Sequence, residues 1–240
     1  MAFPQQLFST RLVLSTRLGI SALGLLLGVA LTAGCGGDQQ EAGGAPTASI
    51  NANSGAGSDE ASPAKNEPTP DPEHPVIEVT TNRGTFQLTL DAEKAPLTVD
   101  NFLSYVEQGY FDGTVFDQIY EGQGCIGGLY TPEFKAKDTR VPIRNEADNG
   151  LKNKRGTIAM VRAADAIDSA TSHFFINVAD NPNLDHRDRT PEGFGYCVFG
   201  KVSQGIEVVD QISQVPVDDS SEFQAKPVET VLIESMRRVQ

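Results

Sequence analysis

Between Gly36 and His74 the chain offers one branched aliphatic residue, Ile50, among glycine, alanine, serine, asparagine, proline and acids. Such a segment cannot bury enough apolar surface to offset the entropy lost on ordering it. Any packed core must come from the residues beyond His74, so the natural count is one folded domain, long enough to bury a core of its own. The 39 residues from Gly36 to His74, behaving as flexible coil, span roughly 35 Å root-mean-square. Their proline-dense end, Pro68-Thr69-Pro70-Asp71-Pro72, predicts a stiffer, PPII-like stretch.

Ahead of this segment, residues 1–17 hold Arg11 and Arg17 and no acid, and Leu18 to Leu31 is an apolar run broken only by glycine, serine and alanine. The run is shorter than the ~20 residues of a membrane span, and the charge pattern is that of a signal peptide. Ala33 and Gly34 directly before Cys35 resemble the bacterial lipoprotein box, with the departure that Thr32 stands where an aliphatic is usual and Leu31 lies one place further out. The resemblance implies lipidation of Cys35 and an extracytoplasmic, membrane-tethered protein. Gly36 after that cysteine, in place of aspartate, points toward the outer membrane if the host is Gram-negative. The predicted organisation is a leader at 1–34, a lipidated N-terminus and disordered linker at 35–75, and a domain at 76–240.

The formal charge of -13 repels nucleic acid and anionic headgroups, so no nucleic-acid partner is expected. Cys125 and Cys197 lack zinc spacing; two buried thiols and a disulfide both stay open in an oxidising compartment. His173 and His186, even with Asp185 and Asp188, lack a convincing third ligand, so no metal is expected. The glycines at 122, 124, 127 and 128 precede neither a helix start nor a lysine, so no phosphate cradle or other cofactor site is expected. Ser172 beside His173 is not a hydrolase pair, because neighbouring strand residues face opposite ways.

Within the domain, alternation over Val76 to Thr81 and over Phe86, Leu88 and Leu90, with Asn82-Arg83-Gly84 between, predicts a β-hairpin. Val99, Phe102, Leu103 and Val106 fall at helical spacing after Pro96 and before Gly109. A second helix fits Gly205 to Ser213, where Ile206, Val209 and Ile212 share a side. Further strands are predicted at 114–119, 157–161, 174–178, 195–201 and 228–236. Many short strands with two helices suggest a closed antiparallel barrel with capped ends, since closure removes exposed strand edges.

Five ordered segments carry a resemblance: Ala95-Pro96 through Asn101-Phe102, Ile143 to Leu151, Arg155 to Met160, Ser169 to Asn177, and Val198 to Val202. They resemble bacterial cyclophilins in order and spacing across essentially all of 76–240. The resemblance implies an eight-stranded antiparallel barrel with two capping helices, peptidyl-prolyl cis-trans isomerase activity, and action as a monomer on proline-containing segments of secreted or envelope proteins. Carried over by position, the resemblance places Phe175, Leu184, Met160 and Phe116 around the proline pocket. His173 stands where most members have glutamine, and Tyr196 where many have histidine. An apolar recess floored by Phe175 is expected to be open to a proline ring.

The stretch Phe116 to Gly128 departs from the family pattern. Asp117 takes the place of a histidine, Gln118 of the catalytic arginine, Gln123 of a pocket phenylalanine, Gly124 of a pocket methionine and Ile126 of an active-site glutamine; Asn183 replaces an aromatic before Leu184. A neutral amide donates a weaker hydrogen bond than a guanidinium, and loss of one preorganised donor costs roughly 10²- to 10³-fold in rate. Each large apolar side chain missing from the pocket removes about 1.5–3 kcal/mol of contact. The sequence therefore predicts a weakened or specialised isomerase. The alternatives are a non-catalytic, chaperone-like binder of proline peptides and an envelope lipoprotein that uses the barrel only as a scaffold.

Overall fold

The computed structural model describes residues 71–220 and 223–239, so the leader, the Cys35 lipidation site and most of the linker lie outside the described residues. Glu73 and Pro75 already bond to the domain, their carbonyls accepting from Ala92 and Leu90 N–H at 2.9 and 3.0 Å.

The hairpin forms as predicted, with β1 (Val76–Thr81) antiparallel to β2 (Gly84–Leu90) and Thr81 opposite Gly84. Then come α1 (Pro96–Glu107), β3 (Thr114–Tyr120), β4 (Gly124–Gly127), β5 (Thr157–Met160), β6 (Phe174–Asn177), β7 (Val198–Gln204) and α2 (Ile206–Ser213). The short pair β8 (Val217–Asp218) and β9 (Lys226–Pro227) precedes the last strand, β10 (Val231–Arg238). Eight strands close in the order β1-β10-β3-β4-β6-β5-β7-β2, every neighbouring pair antiparallel, so the barrel has no free edge.

The inward faces meet in one apolar cluster. Phe102 of α1 closes one end, its ring 5.0 Å from Phe111, 5.1 Å from Phe199 and 5.8 Å from Phe174. Val209 and Ile212 of α2 join the same cluster. The first N–H groups of α1 lack partners within the helix, and the Glu146 carboxylate supplies them, accepting from Leu97 and Thr98 N–H at 3.2 and 2.9 Å. Its negative charge also suits the positive end of the helix dipole.

Two strands are shorter at their starts than periodicity predicts. β7 begins at Val198 because Gly195, at φ +78°, turns the chain so tightly that a Cβ there would lie 2.6 Å from the His186 nitrogen. β10 begins at Val231, leaving Val228 64% exposed. β4 is absent from the periodic reading altogether: all four of its residues are buried, so it has no polar face to alternate with. Cys125 and Cys197 are both free and buried, which decides between the two readings in favour of thiols. Burial pushes the Cys197 thiol up to about 12, keeping it protonated and unreactive.

Candidate functional site

A second, smaller cluster lies on the outside of the barrel wall. Ile126, Ala159, Val161, Phe175, Leu184 and Val198 form it, with Tyr120, Leu151 and Tyr196 packed over it. Strand register builds the row: Gln118 pairs with Ile126, Ile126 with Phe175, Phe175 with Ala159, and Ala159 with Val198. Directly paired residues share a face, so Gln118 stands two strand spacings, roughly 10 Å, from Phe175 on the same surface.

Gln118 reaches that surface through a bulge. Phe116 and Ile119 both belong to the interior cluster, which strict alternation forbids for residues three apart. Between Phe116, opposite Gly127, and Gln118, opposite Ile126, the ladder carries one extra residue, Asp117. The bulge resets the phase, turning Gln118 and Tyr120 outward. Gly127 permits the close approach, since a Cβ there would sit 2.8 Å from the Val115 carbonyl oxygen. Gly122, at φ +66°, makes the turn into β4. The glycines of this stretch thus serve backbone geometry.

The bulge also aims Asp117 at His173. Asp117 is fully buried and His173 9% exposed, and His173 Nε2 lies 3.0 and 3.2 Å from the two carboxylate oxygens. A carboxylate only accepts, so the imidazole carries a proton on Nε2. The pairing offsets the cost of burying Asp117, which would be severe for a lone charge. On its other side, Asp117 Oδ2 accepts from Gln118 Nε2 at 3.4 Å, and Gln118 Oε1 accepts from the Tyr120 hydroxyl at 2.9 Å. The edge of Tyr130 or His173 faces the other's ring, centroids 6.0 Å apart.

Arg162 borders the same cluster and is 4% exposed, but each of its three nitrogens already donates to the backbone. The acceptors are the carbonyls of Gly195, Ala163, Ala164 and Pro191 at 2.9, 2.8, 3.3 and 2.5 Å. Its guanidinium also lies over Tyr196, 5.0 Å from the ring centroid. It shapes the loop and does not replace the donor missing at position 118.

The sequence-predicted residues thus divide. Gln118, Ile126, Phe175, Leu184 and Tyr196 come together on the outer face, with His173 bonded to Asp117 beside Gln118. Phe116 and Met160 belong to the interior cluster, beneath the wall. Gln123 stands at the turn into β4, its carbonyl accepting from Val178 N–H at 3.0 Å and its N–H donating to Tyr120. The expected open recess is closed: Phe175 is 1% exposed, with the Tyr196 ring edge-on at 5.9 Å. Asp117, Tyr120 and Arg162 are the polar members that sequence reasoning did not assign to the site. The available signal was that positions 117 and 173 both depart from the cyclophilin pattern.

His186 Nδ1 lies 2.9 Å from the Phe194 carbonyl, Asp185 accepts from Asn153, and Asp188 from Thr190. Among the described residues, Asp71, Glu73 and His74 bring three potential ligand atoms together, all exposed.

Comparison with known proteins agrees with this architecture. The family model for cyclophilin type peptidyl-prolyl cis-trans isomerases matches residues 76–238. A Dickeya dadantii protein named peptidyl-prolyl cis-trans isomerase A is 48% identical over 159 residues, 66% of this chain and 82% of that one. A Streptomyces antibioticus peptidyl-prolyl cis-trans isomerase is 47% identical over 162 residues, 68% of this chain and 97% of that one. In fold, the chain is similar to a Cryptosporidium parvum cyclophilin type isomerase crystal structure, with TM-score 0.60 and 24% identity over 70% of this chain and 98% of that one. With its barrel, its outer row and these relatives, the chain belongs to the cyclophilin type peptidyl-prolyl cis-trans isomerase family and is an isomerase.

Proposed function

We propose that this isomerase acts on proline-containing segments of secreted or envelope proteins, tethered to a bacterial membrane through lipid on Cys35, with catalysis slowed by Gln118 at the arginine position. Isomerising an imide bond means binding the twisted amide better than either planar form, across a barrier of about 18–20 kcal/mol set by resonance. That needs an apolar seat for the proline ring and a donor toward the imide nitrogen. No nucleophile is required.

The row from Gln118 across Ile126 to Phe175 carries this reading. It provides a neutral donor above an apolar floor. The floor is covered, so a substrate ring must first displace the Tyr196 ring that lies edge-on to Phe175. Both features lower the rate without removing the chemistry.

A tetrapeptide isomerisation assay on the full chain in detergent tests the catalytic part. The expected result is turnover about 10²-fold below that of an arginine-bearing relative, with a gain on Gln118→Arg. Ordinary cyclophilin turnover, or a slow rate unmoved by Gln118→Arg, refutes it. Exchange spectroscopy on a bound proline peptide separates slow isomerisation from the binder reading, in which the cis and trans signals fail to exchange faster than in free peptide. For the tether, Cys35→Ser should release the chain from isolated membranes; retention overturns lipidation at that residue.

A further inference from the structure

Replacing a guanidinium by an amide changes more than charge. Guanidinium presents donors on every side, whereas a glutamine amide has a donor end and an acceptor end of nearly equal shape. Turned the wrong way, Gln118 would point an oxygen at the imide nitrogen, whose lone pair also seeks a donor. An amide at this position therefore requires something that distinguishes its two ends.

Asp117 and Tyr120 do so. Asp117 as a carboxylate only accepts, so it selects the Nε2 end, 3.4 Å from Oδ2. The Tyr120 hydroxyl donates to the Oε1 end at 2.9 Å. Flipping the amide would set Oε1 against the Asp117 carboxylate, oxygen to oxygen. Both neighbours are themselves fixed: Asp117 is fully buried and held by His173 at 3.0 Å, and Tyr120 packs on the outer cluster. An NH2 group has two hydrogens, so one directed at Asp117 leaves the second for a substrate. The hydroxyl bond to Oε1 also polarises the amide and strengthens Nε2 as a donor. Burial, aided by the negative charges of Asp117 and Asp219, pushes the Tyr120 phenol up, so it keeps the proton it donates.

We propose that Tyr120 is a positioning residue for isomerisation: its hydroxyl, with Asp117 on the opposite end of the same amide, orients Gln118 Nε2 toward the recess above Phe175. This rests on Gln118 being the donor, as proposed above. It assigns a role to the residue beside the β3–β4 turn that is independent of the packing its ring supplies.

The test is a double-mutant cycle on the full chain, with kcat and KM from a tetrapeptide assay. Tyr120→Phe keeps the ring and deletes one oxygen; kcat should fall about fivefold, the worth of one hydrogen bond, with KM within about twofold. In a Gln118→Ala background the same change should do nothing, because no amide remains to orient. Gln118→Met, which keeps the length and has no donor, should lose as much rate as Gln118→Ala, and an unchanged unfolding midpoint shows that Tyr120→Phe is folded. An unchanged Tyr120→Phe, an equal loss in both backgrounds, or a fully active Gln118→Met overturns the positioning role while leaving the isomerase reading intact. Parental protein that binds peptide without accelerating exchange overturns both.

Discussion

The barrel wall separates two apolar clusters that differ in what can reach them. Inside, Phe86, Phe102, Phe111, Phe174 and Phe199 are enclosed on all sides by strands and helices. Outside, Phe175 and five other buried residues form a smaller cluster, with the partly buried side chains of Tyr120, Leu151 and Tyr196 packed against it. Enclosed side chains can be replaced only by groups of matching volume. A side chain that covers a surface layer, as Tyr196 does, can rotate away and let a ligand take its place, while Tyr120 keeps its bond to Gln118. Adjacent residues of β6, Phe174 and Phe175, thus do different work: one ring fills the barrel and the other floors the candidate recess.

The sharpest way to break the distinction is to empty one site in each cluster. Phe102→Ala removes the ring that three other aromatic rings share, and about 3–5 kcal/mol of stability should be lost, measured by denaturant unfolding. Phe175→Ala should cost less, about 1.5–3 kcal/mol, while weakening proline-peptide binding by more than tenfold in a titration. Equal stability losses with undiminished binding would show that the outer layer is simply more core.

Comparable in size to the Phe102 loss is that of the buried Asp117–His173 pair. His173→Ala leaves a buried carboxylate without its partner, and such changes cost about 3–5 kcal/mol. Combining Asp117→His with His173→Gln, the residues most cyclophilins carry there, should recover most of that loss. Failure of the double variant to exceed His173→Ala in unfolding midpoint would show that the two positions are not exchanged as a unit.

How much of this was legible follows the same division. The interior announces itself by period: Ile77 and Val79 in β1 and Phe102 and Val106 in α1 fall where alternation and the helical repeat place them. β4 is silent because all four of its residues are buried, two of them glycine. The outer site was legible only by resemblance, which reached Gln118, His173, Tyr196 and the apolar members but not Asp117, Tyr120 or Arg162. The bulge at Asp117 leaves no local trace, since Thr114 to Asp117 are buried without a break. The Asp117–His173 pairing spans 56 positions, and a strand written in one dimension does not say which distant residue its bulge will face. The closed recess was missed for a related reason: position-by-position transfer names Phe175 and Tyr196 but not that one ring lies over the other.

The smallest effect concerns a charge pair with the opposite setting. Arg155, two residues before β5, grips Asp210 of α2 through two parallel bonds of 2.7 and 2.8 Å, both side chains substantially exposed at 46% and 34%. The guanidinium holds the Asp210 carboxyl below its ordinary range, chiefly through the hydrogen bond. A folded-state value below the unfolded one means the contribution is complete above the unfolded value and disappears as pH falls through the folded one. Solvent screening limits it to about 0.3–1 kcal/mol. Asp210→Asn should therefore be slightly less stable than the parent at pH 7, with the gap closing below about pH 4, near the ordinary carboxylate value. Raising the ionic strength should narrow it at any pH. His173→Ala should keep its deficit in salt, because the Asp117 carboxylate is shielded from water and ions by the barrel wall, so thermal unfolding at low and high salt sets the buried pair apart from the exposed one.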